Sequence, residues 1–210
     1  YRRALKARER TLGLDHKDTL ESVNSLGLLL QQHDKLGEAE LLYRRALEGY
    51  DRTLGPDHKE TLILVGILAS FLENQGKLEE AELLYRRKLE AQERTLGPDH
   101  KETVSSVMCL GSLCEDRGKF DEAELLYRRA LESRERTFGP DHSDTLSSVD
   151  WLAYLFKAQN KWDDAERMYQ RMLEARERKL GPDHSDTLSA INNLASLLKD
   201  QEKYDEAELL

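Results

Sequence analysis

Five of the six histidines stand 42 residues apart, and imidazole is the side chain most often used for acid–base catalysis and metal binding. They are His16, His58, His100, His142 and His184. Packed helices lie about 8–10 Å apart, so equivalent histidines in neighbouring repeats are expected on the order of 10 Å apart. Ligands of one zinc ion, in contrast, lie about 2 Å from it. The spacing therefore predicts no shared metal site, but a loop histidine that hydrogen-bonds near the start of a helix.

The other reactive side chains form no catalytic pattern. The sequence has no Gly-rich phosphate loop, no His-Glu-x-x-His segment and no nucleophile elbow. Its many carboxylates lie near arginines on helices or at helix starts, where we expect them to be solvated and not to act as general acids or bases. We predict that the protein is not an enzyme and that it has no catalytic residue, metal or cofactor.

The overall charge argues against nucleic acid and membranes as partners. The 32 basic and 41 acidic residues alternate along the chain and give a net charge of -9, so no basic patch is available to replace the counterions of a phosphate backbone. The longest apolar stretch, Leu62 to Leu72, is shorter than the roughly 20 residues that span a bilayer. Cys109 and Cys114 lie about 140° apart on a helix, which predicts two free thiols and favours a reducing, cytoplasmic location.

The histidine spacing belongs to a repeat that covers the chain, since its 210 residues divide into five periods of 42. Each period opens with the same tyrosine; the periods are 1–42, 43–84, 85–126, 127–168 and 169–210. A fixed period of this length is typical of an array in which each repeat is one supersecondary unit. We predict a single array over residues 1–210, and we expect it to be a piece of a longer protein.

Each repeat contains two helical patterns. Apolar residues at spacings of three and four from Leu62 to Leu72 predict a first helix, helix A. A second stripe from Leu78 to Leu96 predicts a longer helix B that ends at Gly97, before a proline. The three-residue connection between the helices leaves room only for an antiparallel hairpin. The fold class is therefore all-α, a solenoid of helix-turn-helix repeats.

The start of helix A allows two alternatives. Asp57 can accept hydrogen bonds from the first amides, with Glu60 as its capping-box partner. His58 is the alternative cap, which leaves the boundary open by a residue or two.

The residues Leu68-Ala69, Gly76, Ala81 and Tyr85 stand at the spacing of the tetratricopeptide signature. The 42-residue period and the phrase Gly-Pro-Asp-His make the chain resemble the kinesin light chain type of this family, although Lys or Ser replaces the usual proline after the histidine. The resemblance implies a superhelix in which helices A line a concave, peptide-binding surface. Such arrays also occur in multidomain sensor proteins.

The candidate binding residues are the helix A positions that differ between repeats and lie outside the buried stripe. We predict that they form a peptide-binding groove; they are Asn24, Leu28, Gln31, Ile63, Ile67, Ser70, Glu73, Met108, Ser112, Glu115, Asp150, Trp151, Tyr154, Lys157, Asn192, Ser196 and Lys199. Glu73 and Glu115 predict an acidic N-terminal half of the groove, and the lysines at the same offset, 157 and 199, predict a basic C-terminal half. Neutral drift at exposed sites is the alternative explanation, and Trp151 could instead fill the interface between helices A and B.

Two functions are compatible with this pattern. The first is a non-enzymatic scaffold that binds a protein or peptide in the groove. The alternative is a structural or assembly module that stacks head-to-tail with itself, or the sensor arm of a signalling protein. We expect the charged pairs of helix B to form a solvated outer face, and Trp162 to be part of the core.

Overall fold

The computed structural model describes residues 1–210 and contains eleven α-helices and no strand. The helices are α1 (Arg2–Leu12), α2 (Lys17–Gln32), α3 (Leu36–Thr53), α4 (Lys59–Asn74), α5 (Leu78–Leu96), α6 (Lys101–Asp116), α7 (Phe120–Phe138), α8 (Ser143–Ala158), α9 (Trp162–Leu180), α10 (Ser185–Asp200) and α11 (Tyr204–Glu208). The even-numbered helices are helices A, and the odd-numbered ones are helices B. This alternation confirms the all-α prediction. None of the helices combines the length and apolar composition that a bilayer span requires.

The chain forms two compact units, unit 1 at Tyr1–Gly97 and unit 2 at Pro98–Leu210. Within unit 1, each helix from α1 to α5 packs against the next one, and within unit 2 the same holds from α6 to α11. Each unit is thus a stack of helical hairpins. The single continuous array over residues 1–210 stays a prediction.

The core of each unit forms along the predicted stripe of helix A. In α4 the side chains of Leu62, Val65, Leu68 and Leu72 are all buried, and burying one such side chain stabilises the fold by about 1.5–3 kcal/mol. The prediction that Trp162 belongs to the core is wrong, since it is only half-buried. It is the first residue of α9, at the edge of the stack, where its column neighbours are also accessible.

The histidine is the cap of helix A. In α6 the His100 Nδ1 accepts a hydrogen bond from the Glu102 amide at 3.2 Å, and the first, fourth and fifth repeats repeat this contact. The aspartate before the histidine has another role, because Asp57 binds Arg94 at 2.6 Å. That ion pair joins the two ends of the α4–α5 hairpin.

The charged pairs of helix B were expected to form a solvated outer face, but some of their residues also form ion pairs between repeats. Glu40 binds Lys77 of the next repeat at 2.7 Å, and the Glu40 side chain is only 18% exposed. Hydrogen bonds from Lys77 and Arg44 lower the pKa of Glu40. In unit 2, Glu124 forms the same contact. These pairs lie 37 residues apart in sequence, and they tie successive hairpins together.

Candidate functional site

The predicted helix A stripe is accessible to solvent along both units. None of the seventeen predicted side chains is buried, and Trp151 and Tyr154 are 44% and 57% exposed. Trp151 therefore does not fill the interface between helices A and B, although its ring contacts that of Tyr127 at a centroid distance of 5.9 Å. Apolar and aromatic groups left in contact with water in one area are typical of binding surfaces.

In unit 1 this face carries the half-buried carboxylate of Glu73, which accepts a hydrogen bond from the Tyr85 hydroxyl at 2.8 Å. Gln31 accepts a hydrogen bond from the Tyr43 hydroxyl at 2.7 Å. Gly66 lies below the ammonium group of Lys88, because a Cβ atom added at Gly66 would stand 2.9 Å from Lys88 Nζ. Ile63, Leu28 and Ser70 are exposed beside these groups.

In unit 2 the same face contains a cavity of about 570 Å³ between α6, α8, α9 and α10, which we call the unit 2 cavity. Its lining residues are Ser112, Glu115, Asp116, Asp150, Trp151, Tyr154, Tyr169 and Asn193. Five of them were predicted from the sequence. The other three are Asp116, Tyr169 and Asn193. Asp116 follows a predicted residue, Tyr169 lies in the invariant tyrosine column, and Asn193 shares the variable column of Trp151.

The carboxylates of the cavity lack cationic partners. Glu115, Asp116 and Asp150 form no ion pair, and Glu115 accepts its hydrogen bond from the Tyr127 hydroxyl at 2.9 Å. Burial raises the pKa of Glu115, the Tyr127 hydrogen bond opposes this shift, and the charge of Asp116 adds to it. The cavity wall thus carries carboxylates that no ion pair within the protein occupies.

Asp150 is the second half-buried carboxylate of the cavity. Burial raises its pKa, and this effect outweighs the nearby charge of Arg176 and the hydrogen bond from Asn193. The Asn193 Nδ2 donates to Asp150 Oδ1 at 3.3 Å, which holds the carboxylate of α8 against α10.

Tyr169 is 5% exposed, yet its hydroxyl makes no hydrogen bond within the protein. Burial, together with the charges of Asp150 and Tyr154, raises the pKa of Tyr169 to about 12. The tyrosine one repeat earlier, Tyr127, donates to Glu115, but the matching residue for Tyr169 is Lys157. An ammonium group only donates, so it cannot accept the hydroxyl proton.

Lys157 does not line the cavity. Its ammonium group binds Asp200 at 2.6 Å and Ser196 at 3.2 Å, and the basic C-terminal half of the groove stays a prediction. Asn192, Ser196 and Lys199 are exposed on α10, and Met108 is half-buried on α6. They lie on the helix A face outside the cavity.

The histidines and cysteines form neither a cluster of three nor a disulfide. No three His, Cys, Asp or Glu side chains are placed to share a metal ion. Cys109 is exposed and Cys114 is buried, and neither forms a disulfide, which agrees with their predicted separation around the helix.

Sequence comparison identifies the class of protein. Models of the tetratricopeptide repeat match residues 19–60, 59–136, 103–178 and 145–210. The chain therefore belongs to the tetratricopeptide repeat family, whose members are scaffolds for protein–protein interaction. No curated protein matches the sequence significantly.

Solved structures give the type of repeat. The nearly identical TPR-like repeats of a Podosopora anserina protein of the kinesin light chain type superpose with a TM-score of 0.79, at 23% identity over 92% of each chain. BtubC (BKLC) from P. vanneervenii gives 0.74, at 22% identity over 99% of this chain and 84% of that one. A tetratricopeptide repeat protein from Parabacteroides merdae gives 0.66, at 21% identity over 99% and 68%. At these identities the likeness concerns the fold, a kinesin light chain-like helical solenoid.

Proposed function

We propose that the chain is a non-enzymatic scaffold that binds a protein or peptide ligand on the face formed by its helices A. The observation that carries the proposal is the unit 2 cavity, because five of the predicted groove residues line it. It combines an aromatic wall with carboxylates that have no ion-pair partner. Fixed framework residues around a few variable, accessible positions suit a repeat protein in which ligand choice changes while the fold is kept.

Peptide selection tests the proposal without assuming a ligand chemistry. A random displayed peptide library is selected against the 210-residue chain, and the binding site of each selected peptide is mapped by hydrogen–deuterium exchange. We expect protection at α6, α8 and α10 around the cavity. Selected peptides should lose affinity for a Trp151→Ile variant, which carries the unit 1 residue of that column, Ile67.

A matched control separates the cavity from general effects of tryptophan substitution. Trp162→Phe removes the other tryptophan and introduces the residue found at Phe120 in the same column, so it should leave binding unchanged. If no peptide is selected, or if all peptides protect helices B, the recognition proposal fails. Sedimentation of the free chain over a concentration series then tests the alternative of head-to-tail assembly.

A further inference from the structure

We propose that the unit 2 cavity binds the guanidinium group of an arginine side chain from a partner polypeptide. This inference rests on the proposed function and states the chemistry that its ligand must supply. The first observation is that the carboxylates of the cavity have no ion-pair partner. Elsewhere in unit 2, half-buried carboxylates such as Glu124 and Glu135 are in contact with lysine or arginine, whereas the three carboxylates at the cavity are in contact with none.

The walls of the cavity suit a flat cation. Trp151 and Tyr154 expose about half of their surfaces, and aromatic faces attract cations, with tryptophan the most effective. A guanidinium group is planar, stacks on aromatic rings and is more weakly hydrated than an ammonium group. Arginine therefore fits the combination of aromatic and carboxylate groups better than lysine.

The Tyr169 hydroxyl gives an independent indication of a ligand. Tyr169 is only 5% exposed and lines the cavity, and its hydroxyl oxygen has no hydrogen-bonding partner in the protein. The hydroxyl oxygen is not enclosed by the protein, so a group that enters the cavity can reach it. The Tyr169 oxygen can accept a hydrogen bond from a ligand, as can the oxygens of Glu115 and Asp150, and the guanidinium group carries several N–H donors.

Unit 1 shows the same backbone without this chemistry. At the positions two repeats earlier, Gln31 replaces Glu115 and Gly66 replaces Asp150. The Lys88 ammonium lies above Gly66, so a positive charge stands near the place where unit 2 has a carboxylate. We expect arginine binding at unit 2 and none at unit 1.

The experiment uses Trp151 as the reporter in a Trp162→Phe background. The probes are three capped pentapeptides with glycine at every position except the centre, which is arginine, lysine or citrulline. Citrulline keeps the planar shape of arginine but lacks its charge. The arginine peptide should change the Trp151 fluorescence in a saturable manner, with the lysine peptide binding several-fold more weakly and the citrulline peptide at least tenfold more weakly.

Two conservative variants test the carboxylates. Glu115→Gln keeps the acceptor for the Tyr127 hydroxyl, as Gln31 does for Tyr43, and Asp150→Asn introduces the residue of the same column at Asn24. The double variant should retain its circular dichroism spectrum and lose at least tenfold in affinity for the arginine peptide. A Glu124→Gln control should bind normally.

Equal binding of the arginine and citrulline peptides, no saturable response to arginine, or full affinity in the double variant would each overturn the inference. These results leave the proposed function standing if library peptides still protect α8. If no library peptide binds either, the proposed function fails as well.

Discussion

The helix A faces of the two units are built from the same kind of repeat and differ in their side chains. Their residues correspond at an offset of two repeats, or 84 positions: Gln31 and Glu115, Gln32 and Asp116, Gly66 and Asp150, Ile67 and Trp151, Ser70 and Tyr154. Unit 1 presents amides, a small side chain and aliphatic surface, while unit 2 presents carboxylates and aromatic rings around a cavity. Unit 1 also carries Glu73 on this face, but at the position two repeats later unit 2 has Lys157.

A second contrast separates the carboxylates of unit 2 by their partners. Burial by itself would raise the pKa of Glu124, but hydrogen bonds from Lys161 and Arg128 lower it. For Glu115, burial has the larger effect and the pKa is raised. Glu124 is thus arranged to stabilise the stack, whereas Glu115 is ionised at a cost to the fold, as expected of a binding residue.

The largest effect should follow from giving unit 2 the face of unit 1. We predict that Glu115→Gln, Asp150→Asn, Trp151→Ile and Tyr154→Ser, combined, weaken the arginine pentapeptide at least 100-fold, or about 2.8 kcal/mol. Each new residue already occupies the same column in another repeat, so the helix content should not change. Titration calorimetry measures the affinity; retention of more than a tenth of it would show that the exchanged side chains do not bind the ligand.

Trp151→Ile alone should have a smaller effect, about tenfold in affinity. The substitution removes the aromatic face and leaves all carboxylates in place. The matched change in unit 1, Ile67→Ala, should have no effect on the same titration. If both substitutions weaken binding equally, the difference between the units does not decide recognition.

The pH dependence of binding should follow the raised pKa values of Glu115 and Asp150. A cation requires both groups to be ionised, so affinity should fall as the pH decreases, beginning at a higher pH than for an ordinary surface carboxylate. We expect a several-fold loss, measured by Trp151 fluorescence from pH 7 downwards, and a flat profile in the Glu115→Gln, Asp150→Asn variant. A wild-type profile that is equally flat would contradict the role of these carboxylates.

The charges around these groups do not change this expectation. Glu115 faces Asp116, which raises its pKa, and the hydroxyl of Tyr127, which lowers it. Asp150 faces Arg176 and Asn193, which both lower its pKa but do not outweigh burial.

Stability should change least, and in opposite directions for the two kinds of carboxylate. Glu124→Gln should destabilise unit 2 by about 1 kcal/mol at neutral pH, because it removes charge-assisted hydrogen bonds from a largely buried group. This contribution of Glu124 is present above its unfolded pKa and is lost as the pH falls through its lowered folded pKa. Urea unfolding at pH 7 measures the loss.

Glu115→Gln should be neutral or slightly stabilising in the same measurement. Since its folded pKa is raised, the ionised form disfavours folding at neutral pH, and this penalty is relieved as the pH falls through the folded pKa. Equal destabilisation by both substitutions would show that Glu115 has a structural role like that of Glu124.

The periodicity of the sequence predicted the helices, and the differences between repeats predicted five of the residues that line the cavity. Apolar spacing located α4 and α5 to within three residues at each end, and comparison of repeats selected Glu115, Trp151 and Tyr154 by their variability. The buried Tyr169 could not be found in this way, because its column is invariant. Tyr169 differs from Tyr127 because Lys157 stands where Glu115 accepts the Tyr127 hydroxyl, and Lys157 binds Asp200 instead.

Contacts between repeats were the main feature that pattern reasoning missed. The i,i+4 pairs of helix B indicated a solvated face, but Glu40 and Glu124 also bind lysines 37 residues later. Trp162 was placed in the core from its apolar column, although the first residue of a helix lies at the edge of the packed region. Both errors have one cause: a helical period identifies a face and does not show what covers it.

Backbone amide shifts on addition of the arginine pentapeptide test the central claim most directly, since the two units report in the same spectrum. The account predicts saturable shifts at the lining positions of α6, α8 and α10, including Trp151 and Asn193, and unchanged positions at Gln31 and Ile67 in unit 1. Shifts of equal size in both units, or shifts confined to helices B, would contradict it.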